Sequence, residues 1–333
     1  MNESTPAISA IFFTLTDFEA IRRVVSAWSR QTAASNVEAI LVCPDEATVG
    51  IEENLFANFR SWKVVECDRV DSSACMRVAG IRAASAPYIA ITEDHCFPHK
   101  RWAELILAKL EEGYDAVCGS FRCANPRRTM SWSNLLVEYT TWMEPIEDLE
   151  PDFIAGHNSA YRVESLMKLD DELDKLFEAE TALHWEMGRR FGARFAVEPA
   201  ARHHHLNFEK VLPSLGIRFV AGWSFADGRR QSWGWPTRLL YAGGSPLIPL
   251  VRFFRLWPGI RRQRRAPQGL LLYFLVIQQL KADALGQLFG YLFPIPDNLN
   301  DLLSDYETRR ERFMIDPPHP RYNARPPKTA APA

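Results

Sequence analysis

Three clusters in this 333-residue chain have the residue types and spacing to do chemistry. Glu93, Asp94 and His95 directly follow a hydrophobic run, Tyr88-Ile-Ala-Ile-Thr92. Acids and an imidazole at the exit of a buried strand converge where a divalent cation could bind a phosphate ligand. Carboxylate oxygens suit Mg²⁺ or Mn²⁺, and an imidazole nitrogen tilts the choice towards Mn²⁺. The same residues could equally form a solvated turn with helix-capping acids. The second cluster is Glu178 and Glu180 in a Glu-rich helical stretch, where such acids ordinarily form a solvated face. Glu180 and His184 are i,i+4 neighbours and can share a helix face. The third is His203-His204-His205. Consecutive strand residues point to alternate faces, so the three cannot all bind one ion. The HExxH pattern of a zinc hydrolase is absent.

The elements that must position these residues follow from periodicity. Residues 8–15 form a short apolar run rich in β-formers, which predicts a buried strand. Apolar residues at helical spacing follow over 17–31, with Asp17 as the expected N-cap. Further strands are expected at 37–43, 62–66, 88–92 and 116–121, with helices at 74–84 and 101–112. Such alternation predicts an α/β fold, a mostly parallel sheet flanked by helices. Ligands of such sheets bind at the carboxyl ends of the strands, which is where Glu93-Asp94-His95 falls. Beyond about 125 the alternation weakens. Helical segments at 132–142 and 172–191 flank a loop-like stretch at 155–158.

Composition is that of a globular protein, with 47% hydrophobic and 24% charged residues, which excludes a disordered or fibrous chain. The net charge of −2 hides an asymmetry. Residues 211–300 hold eleven Arg and Lys against three acids, which points to a surface partner for that part. There Arg252, Arg255, Arg261, Arg262, Arg264 and Arg265 lie among Phe253, Phe254, Leu256 and Trp257. Basic residues interleaved with aromatics suit an anionic membrane surface. The apolar content exceeds what phosphate contact needs, so a nucleic-acid partner is not expected. The apolar run 269–277 is too short to span cleanly, and a re-entrant or in-plane helix is expected. A helical subdomain packed with its arginines in solvent is the alternative. The six cysteines form no CxxC pair and read as buried thiols in a reducing compartment. The N-terminus shows no signal peptide, and the tail from Pro317 is expected to be disordered.

Arg77-Val-Ala-Gly80, the run Tyr88 to His95, Pro98 and Trp102 together resemble the family-2 glycosyltransferases of GT-A fold, over roughly residues 7–207. The resemblance implies a divalent cation, Mn or Mg, on the diphosphate of a nucleotide-sugar, with Asp94, His95 and Glu93 as ligand candidates. It places Thr14, Asp45 and Arg77 with Glu93 and Asp94 around the donor. Cys43 stands where the family often has an acid contacting the base, and Asp45 is the nearest acid. Gly156, His157 and Asn158 resemble the loop beneath the transferred sugar. Residues 178–185 resemble the segment carrying the base, which puts Glu180 in that role, with Trp185 on the acceptor side. The histidine run resembles the family's terminal histidine near the metal, with His205 or His204 at the matching place.

The expectation is therefore a GT-A-like catalytic domain at 1–210, a helical, basic and apolar membrane-associated region at 211–300, and a tail at 301–333. The resemblance implies an inverting transfer from a nucleotide-sugar to a saccharide or lipid-linked acceptor, as in bacterial surface-polysaccharide pathways, at the cytoplasmic face of the cell membrane. A nucleotidyltransferase would want a Gly- and Lys-bearing loop after the first strand, which FFTLTDFEA lacks. A catalytically silent membrane-docking protein on the same fold is the other alternative.

Overall fold

The structure is a computed structural model. It describes residues 5–68, 73–146, 148–178, 180–296, 298–299, 302, 306 and 310–315. The tail expected from Pro317 lies outside the described residues.

An eight-stranded sheet in the order β3-β2-β1-β4-β7-β6-β8-β5 forms the backbone of the fold. The strands are β1 (Ile8–Phe13), β2 (Val37–Cys43), β3 (Ser61–Glu66), β4 (Tyr88–Ile91), β5 (Cys96–Pro98), β6 (Ala116–Cys123), β7 (Ser159–Arg162) and β8 (Phe195–His205). Strand β1 pairs in parallel with β2 and β4, and β2 in parallel with β3. This part is the parallel, helix-covered sheet that alternation predicts. Strand β7 then runs antiparallel to both β4 and β6, so the sheet is mixed beyond β4. Burial explains the sequence of the central strands: every residue of β2 is buried, so the run is continuously apolar apart from Glu38.

The helices in chain order are α1 (Phe18–Trp28), α2 (Glu46–Val49), α3 (Ser73–Ala83), α4 (Trp102–Glu111), α5 (Thr129–Tyr139), α6 (Val163–Met167), α7 (Leu173–Leu176) and α8 (Glu180–Phe191). Asp17 caps α1 as expected, its carboxylate accepting from the Ala20 N–H at 3.2 Å. Trp28 of α1 meets Trp102 of α4 edge-on at 5.1 Å, both fully buried. Gly80 sets the height of α3 over the sheet. A Cβ there would lie 2.5 Å from Ile11 Cγ2, so only glycine lets the helix settle on β1. That contact fixes Arg77, one turn earlier on α3.

The chain divides into two compact units. One takes residues up to 120 and 148–204, and the other takes 121–147 and 205–317. The second unit is helical: α5 joins α9 (Val211–Arg230), α10 (Trp235–Gly244), α11 (Ile248–Arg262) and α12 (Leu270–Leu292). Helix α12 runs unbroken through the polar residues that interrupt its apolar sequence. Gln279, wholly buried, donates to Ser133 Oγ of α5 at 2.9 Å. Acids inside this unit are matched by arginines, as in Arg218–Glu138 at 2.5 Å and Arg252–Asp283 at 2.7 Å. Among the described residues, no helix is long and apolar enough to cross a membrane.

Candidate active site

The cluster forms where β4 ends. Glu93, 7% exposed, follows β4 and Thr92, and receives two contacts from one residue. Asn158 Nδ2 donates to Glu93 Oε2 at 2.5 Å, while the Glu93 N–H donates to Asn158 Oδ1 at 3.1 Å. Asn158 reaches this position with φ of 57°, the left-handed region that asparagine tolerates better than most residues. The loop before β7 is thereby tied to the exit of β4.

His157, next to it, bridges two carboxylates. Its Nδ1 lies 3.1 Å from Glu180 Oε1 and 3.5 Å from Glu93 Oε1. Glu180 opens α8, and its Oε1 also accepts from Arg77 Nη1 at 2.8 Å. Arg77 is 5% exposed, and its guanidinium stands over the Phe13 ring at 5.4 Å. Desolvating an arginine and a carboxylate is costly unless they pair closely, and here they do. Gly156 makes the arrangement sterically feasible. A Cβ at that position would come within 2.1 Å of Glu180 Cβ.

His95 Nδ1 lies 2.5 Å from Asp94 Oδ1, and its Nε2 lies 3.5 Å from Glu93 Oε2. Asp94 thus holds one ring nitrogen and turns the other towards Glu93. His205, the last residue of β8, shows the same device, with Nδ1 2.7 Å from Asn207 Oδ1. A carboxylate or amide oxygen on one ring nitrogen is what fixes a histidine for metal ligation through the other. Glu93, His95 and His205 are all buried, and each can offer one ligand atom, the three atoms lying within 4.8 Å of one another. Two imidazoles and a carboxylate are a donor set that can hold a divalent cation.

The structure therefore brings Arg77, Glu93, Asp94, His95, Gly156, His157, Asn158 and Glu180 together. The side chains of Thr14 and Asp45 make contacts within their own segments. Thr14 is buried in the turn after β1, where its hydroxyl donates to the Asp17 carbonyl at 2.8 Å. Asp45 is exposed and caps α2, accepting from the Ala47 N–H at 2.9 Å. Trp185 is 59% exposed further along α8. Two further residues support the site, His184, already marked by its spacing from Glu180, and Tyr161, which sequence reasoning missed. Tyr161 Oη donates to the Gly156 carbonyl at 3.1 Å and lies 3.0 Å from His184 Nε2. The signal for His184 was its i,i+4 spacing from Glu180; Tyr161 gave none. Burial pushes the His184 imidazole down to about 4, so it is neutral near pH 7, and pushes the Tyr161 phenol well up.

The sheet is of α/β architecture, with buried acids, imidazoles and an arginine at one strand end, and comparison with known proteins adds to that. The family model described as "Glycosyl transferase family 2" matches residues 9–170, just under half of the chain. No curated protein matches the chain. Among solved structures, S. aureus TarS 1-349 in complex with UDP-GlcNAc aligns at 13% identity and a TM-score of 0.44, covering 60% of this chain and 58% of that one. The same protein in complex with UDP aligns at 12% identity and 0.43, covering 84% of this chain and 90% of that one. Residues 9–170 are thus similar to family-2 glycosyltransferases, and the sheet has the mostly parallel, helix-flanked α/β architecture that the motifs imply.

Proposed function

We propose that the protein transfers a hexose from a nucleotide-sugar to an acceptor hydroxyl with inversion, using Glu180 as general base. The observation that carries this reading is the meeting of Arg77, Glu93, His157 and Glu180, from four separate segments, within hydrogen-bonding or ion-pair distance at the end of β4. Glu180 Oε1 takes the contacts from Arg77 and His157. That fixes the carboxylate and leaves Oε2 to accept the hydroxyl proton. The acceptor oxygen then forms its bond to the anomeric carbon as the bond to the diphosphate breaks. The electron pair leaves with the nucleotide, and one displacement inverts the centre. In this reading Arg77 meets a phosphate oxygen; its buried Nε has no hydrogen-bond partner, which supports that role. Thr14 and Asp45 belong to the donor side of the reading, and Gly156 and Asn158 to the floor under the sugar. Glu93, His95 and His205 would hold a divalent cation, with Asp94 orienting His95; when bound, it neutralises charge on the diphosphate.

The acceptor in this reading is lipid-linked or a surface-polysaccharide precursor, met at the cytoplasmic face of a membrane. Residues 1–210 are the catalytic domain and 211–300 the membrane-associated region. Support comes from Leu247, Leu250, Val251 and Phe254. They have the i, i+3, i+4, i+7 spacing of a buried helix stripe, yet each is 47–65% exposed. Arg255, Arg261, Arg264 and Arg265 nearby are exposed too. An apolar stripe with flanking cations suits an anionic bilayer interface.

The test uses the pure protein with Mn²⁺ and a panel of nucleotide-sugars, reading the melting temperature and release of nucleotide. Glu180→Gln is expected to keep the donor-induced rise in melting temperature and to lose turnover by about 10²- to 10⁴-fold. Full turnover in that variant would remove Glu180 from the chemistry. A donor-induced rise unchanged by omitting the cation would remove the metal from the reading.

A further inference from the structure

Helix α8 carries Glu180 at its first turn and borders a separate groove along its later turns. The groove encloses about 520 Å³ and is lined by Asp152, His184, Trp185, Gly188, Arg194 and Phe195 among others. That volume lies within the range of small-ligand sites. With a rise of 1.5 Å per residue, Trp185 lies roughly 8 Å and Gly188 roughly 12 Å along the helix axis from Glu180. We propose that this groove binds a saccharide segment of the acceptor, remote from the reacting hydroxyl. The proposal rests on the glycosyltransfer reading for the origin of that saccharide, and on the groove alone for its binding.

Three features identify the ligand class. Trp185 presents an indole that is 59% exposed, a flat apolar face of the kind that the C–H face of a pyranose covers. Asp152 and Arg194 add an acceptor and a fork of donors suited to ring hydroxyls. Arg194 also pairs with Glu150 at 3.4 Å, so the lining mixes both signs. A polyanion would meet two carboxylates here, which argues for a neutral polyol. The third feature is His184, wholly buried in the groove wall. The Tyr161 hydroxyl donates to the Gly156 carbonyl, so it accepts from His184 Nε2–H. Nδ1 is then the lone-pair nitrogen, and it is buried with no hydrogen-bond partner. Buried polar atoms are nearly always satisfied, so this one marks hydrogen-bonding capacity that the fold does not use.

The experiment is saturation-transfer NMR on the full chain with cellotetraose, chitotetraose, maltotetraose and mannotetraose. One or more of these is expected to bind, with affinity falling about two- to tenfold in Trp185→Ala and largely restored in Trp185→Phe, since the first loses the stacked aromatic face and the second keeps one. Gly188→Phe is the second variant. A Cβ there meets nothing within 4 Å, and replacing a helical glycine does not weaken the helix. It should fill the groove and abolish binding without lowering the melting temperature. No binding by any tetraose, or binding indifferent to both variants, overturns the proposal. Glu180→Gln separates the two readings, because it should lose turnover and keep saccharide binding. Retained turnover there sinks the catalytic assignment and leaves the groove standing. Lost turnover with saccharide binding unmoved by Trp185→Ala does the reverse.

Discussion

The two units solve opposite problems. The first buries charge: Arg77, Glu93, His95 and Asn158 are all under 9% exposed, at the end of a strand with an otherwise apolar run. The second exposes grease: Leu240 is 72% exposed, Leu247 63% and Phe254 65%, while its acids Asp227 and Asp283 are paired with Arg230 and Arg252. Buried ion pairs seldom stabilise a fold more than apolar groups of the same shape would. Large exposed apolar patches contribute nothing to a monomer's stability. Each departure from the ordinary pattern therefore points to a ligand, a small polar one in the first unit and an extended surface in the second.

The comparison breaks first at Arg77. Replacing it with Met should leave the Glu180 carboxylate, 13% exposed, without its strongest partner. The expected cost is about 3–5 kcal/mol, read as a fall in urea midpoint. Adding Glu180→Gln to Arg77→Met should recover much of that loss, because the orphaned charge is gone. If the double variant is as unstable as the single one, the pair is not what makes the site costly.

His184 gives the next effect. Its pKa is about 4 when folded, against an ordinary value of 6.5. The unfolded chain therefore binds the extra proton across that window. Stability from this group is complete above about pH 6.5 and is lost as pH falls towards 4, by about 3 kcal/mol in total. His184→Gln should remove that part of the pH dependence. The stability difference between wild type and variant should therefore move by about 3 kcal/mol over the window. A constant difference would mean that the imidazole is not desolvated.

Gly156→Ala acts on function more than on stability. The added methyl group would sit 2.1 Å from Glu180 Cβ, so either the loop or the first turn of α8 must shift. A displacement near 1 Å at a catalytic group can cost about 100-fold in turnover. Turnover within a factor of two of wild type would show that the loop relaxes freely.

Much of this architecture can be read in the sequence, and the reasons for the gaps are physical. Strand β2 occupies 37–43 as its apolar run indicates, because a strand buried on both faces leaves no residue ambiguous. The cluster at 93–95 is visible because three chemically loaded residues follow a buried strand. Which of them faces a cation is not visible there. Asp94 and His95 are chain neighbours, and their mutual contact, at 2.5 Å, is not signalled by their spacing. His157 joins Glu93 to Glu180 across segments that no local period connects. The left-handed turn at Asn158 leaves no mark in composition either, since asparagine is common in ordinary loops. Helix α5 reads as part of the first 210 residues, yet it packs with the C-terminal helices through Ser133 and Gln279. Such long-range pairing depends on which faces match, and periodicity reports only that a face exists.

The smallest expected effect on stability is the most informative about the second unit. Leu240 and Phe254 project from α10 and α11 with most of their surface exposed. Substituting each by Ser should change stability by no more than about 0.5 kcal/mol, the usual range for surface positions. The same substitutions on core residues such as Ile106 would open cavities costing several times more. Flotation with anionic vesicles should nevertheless fall clearly, because each buried apolar side chain contributes about 1.5–3 kcal/mol to insertion. Changing Arg261, Arg262, Arg264 and Arg265 to Gln should weaken flotation most at low salt, since surface attraction of this kind is screened within roughly 10 Å at 0.1 M. Phe254→Ser with unchanged flotation would mean that the apolar stripe does not enter the interface. If that variant instead lost several kcal/mol of stability, the stripe would be packed inside the protein, and the contrast between the two units would disappear.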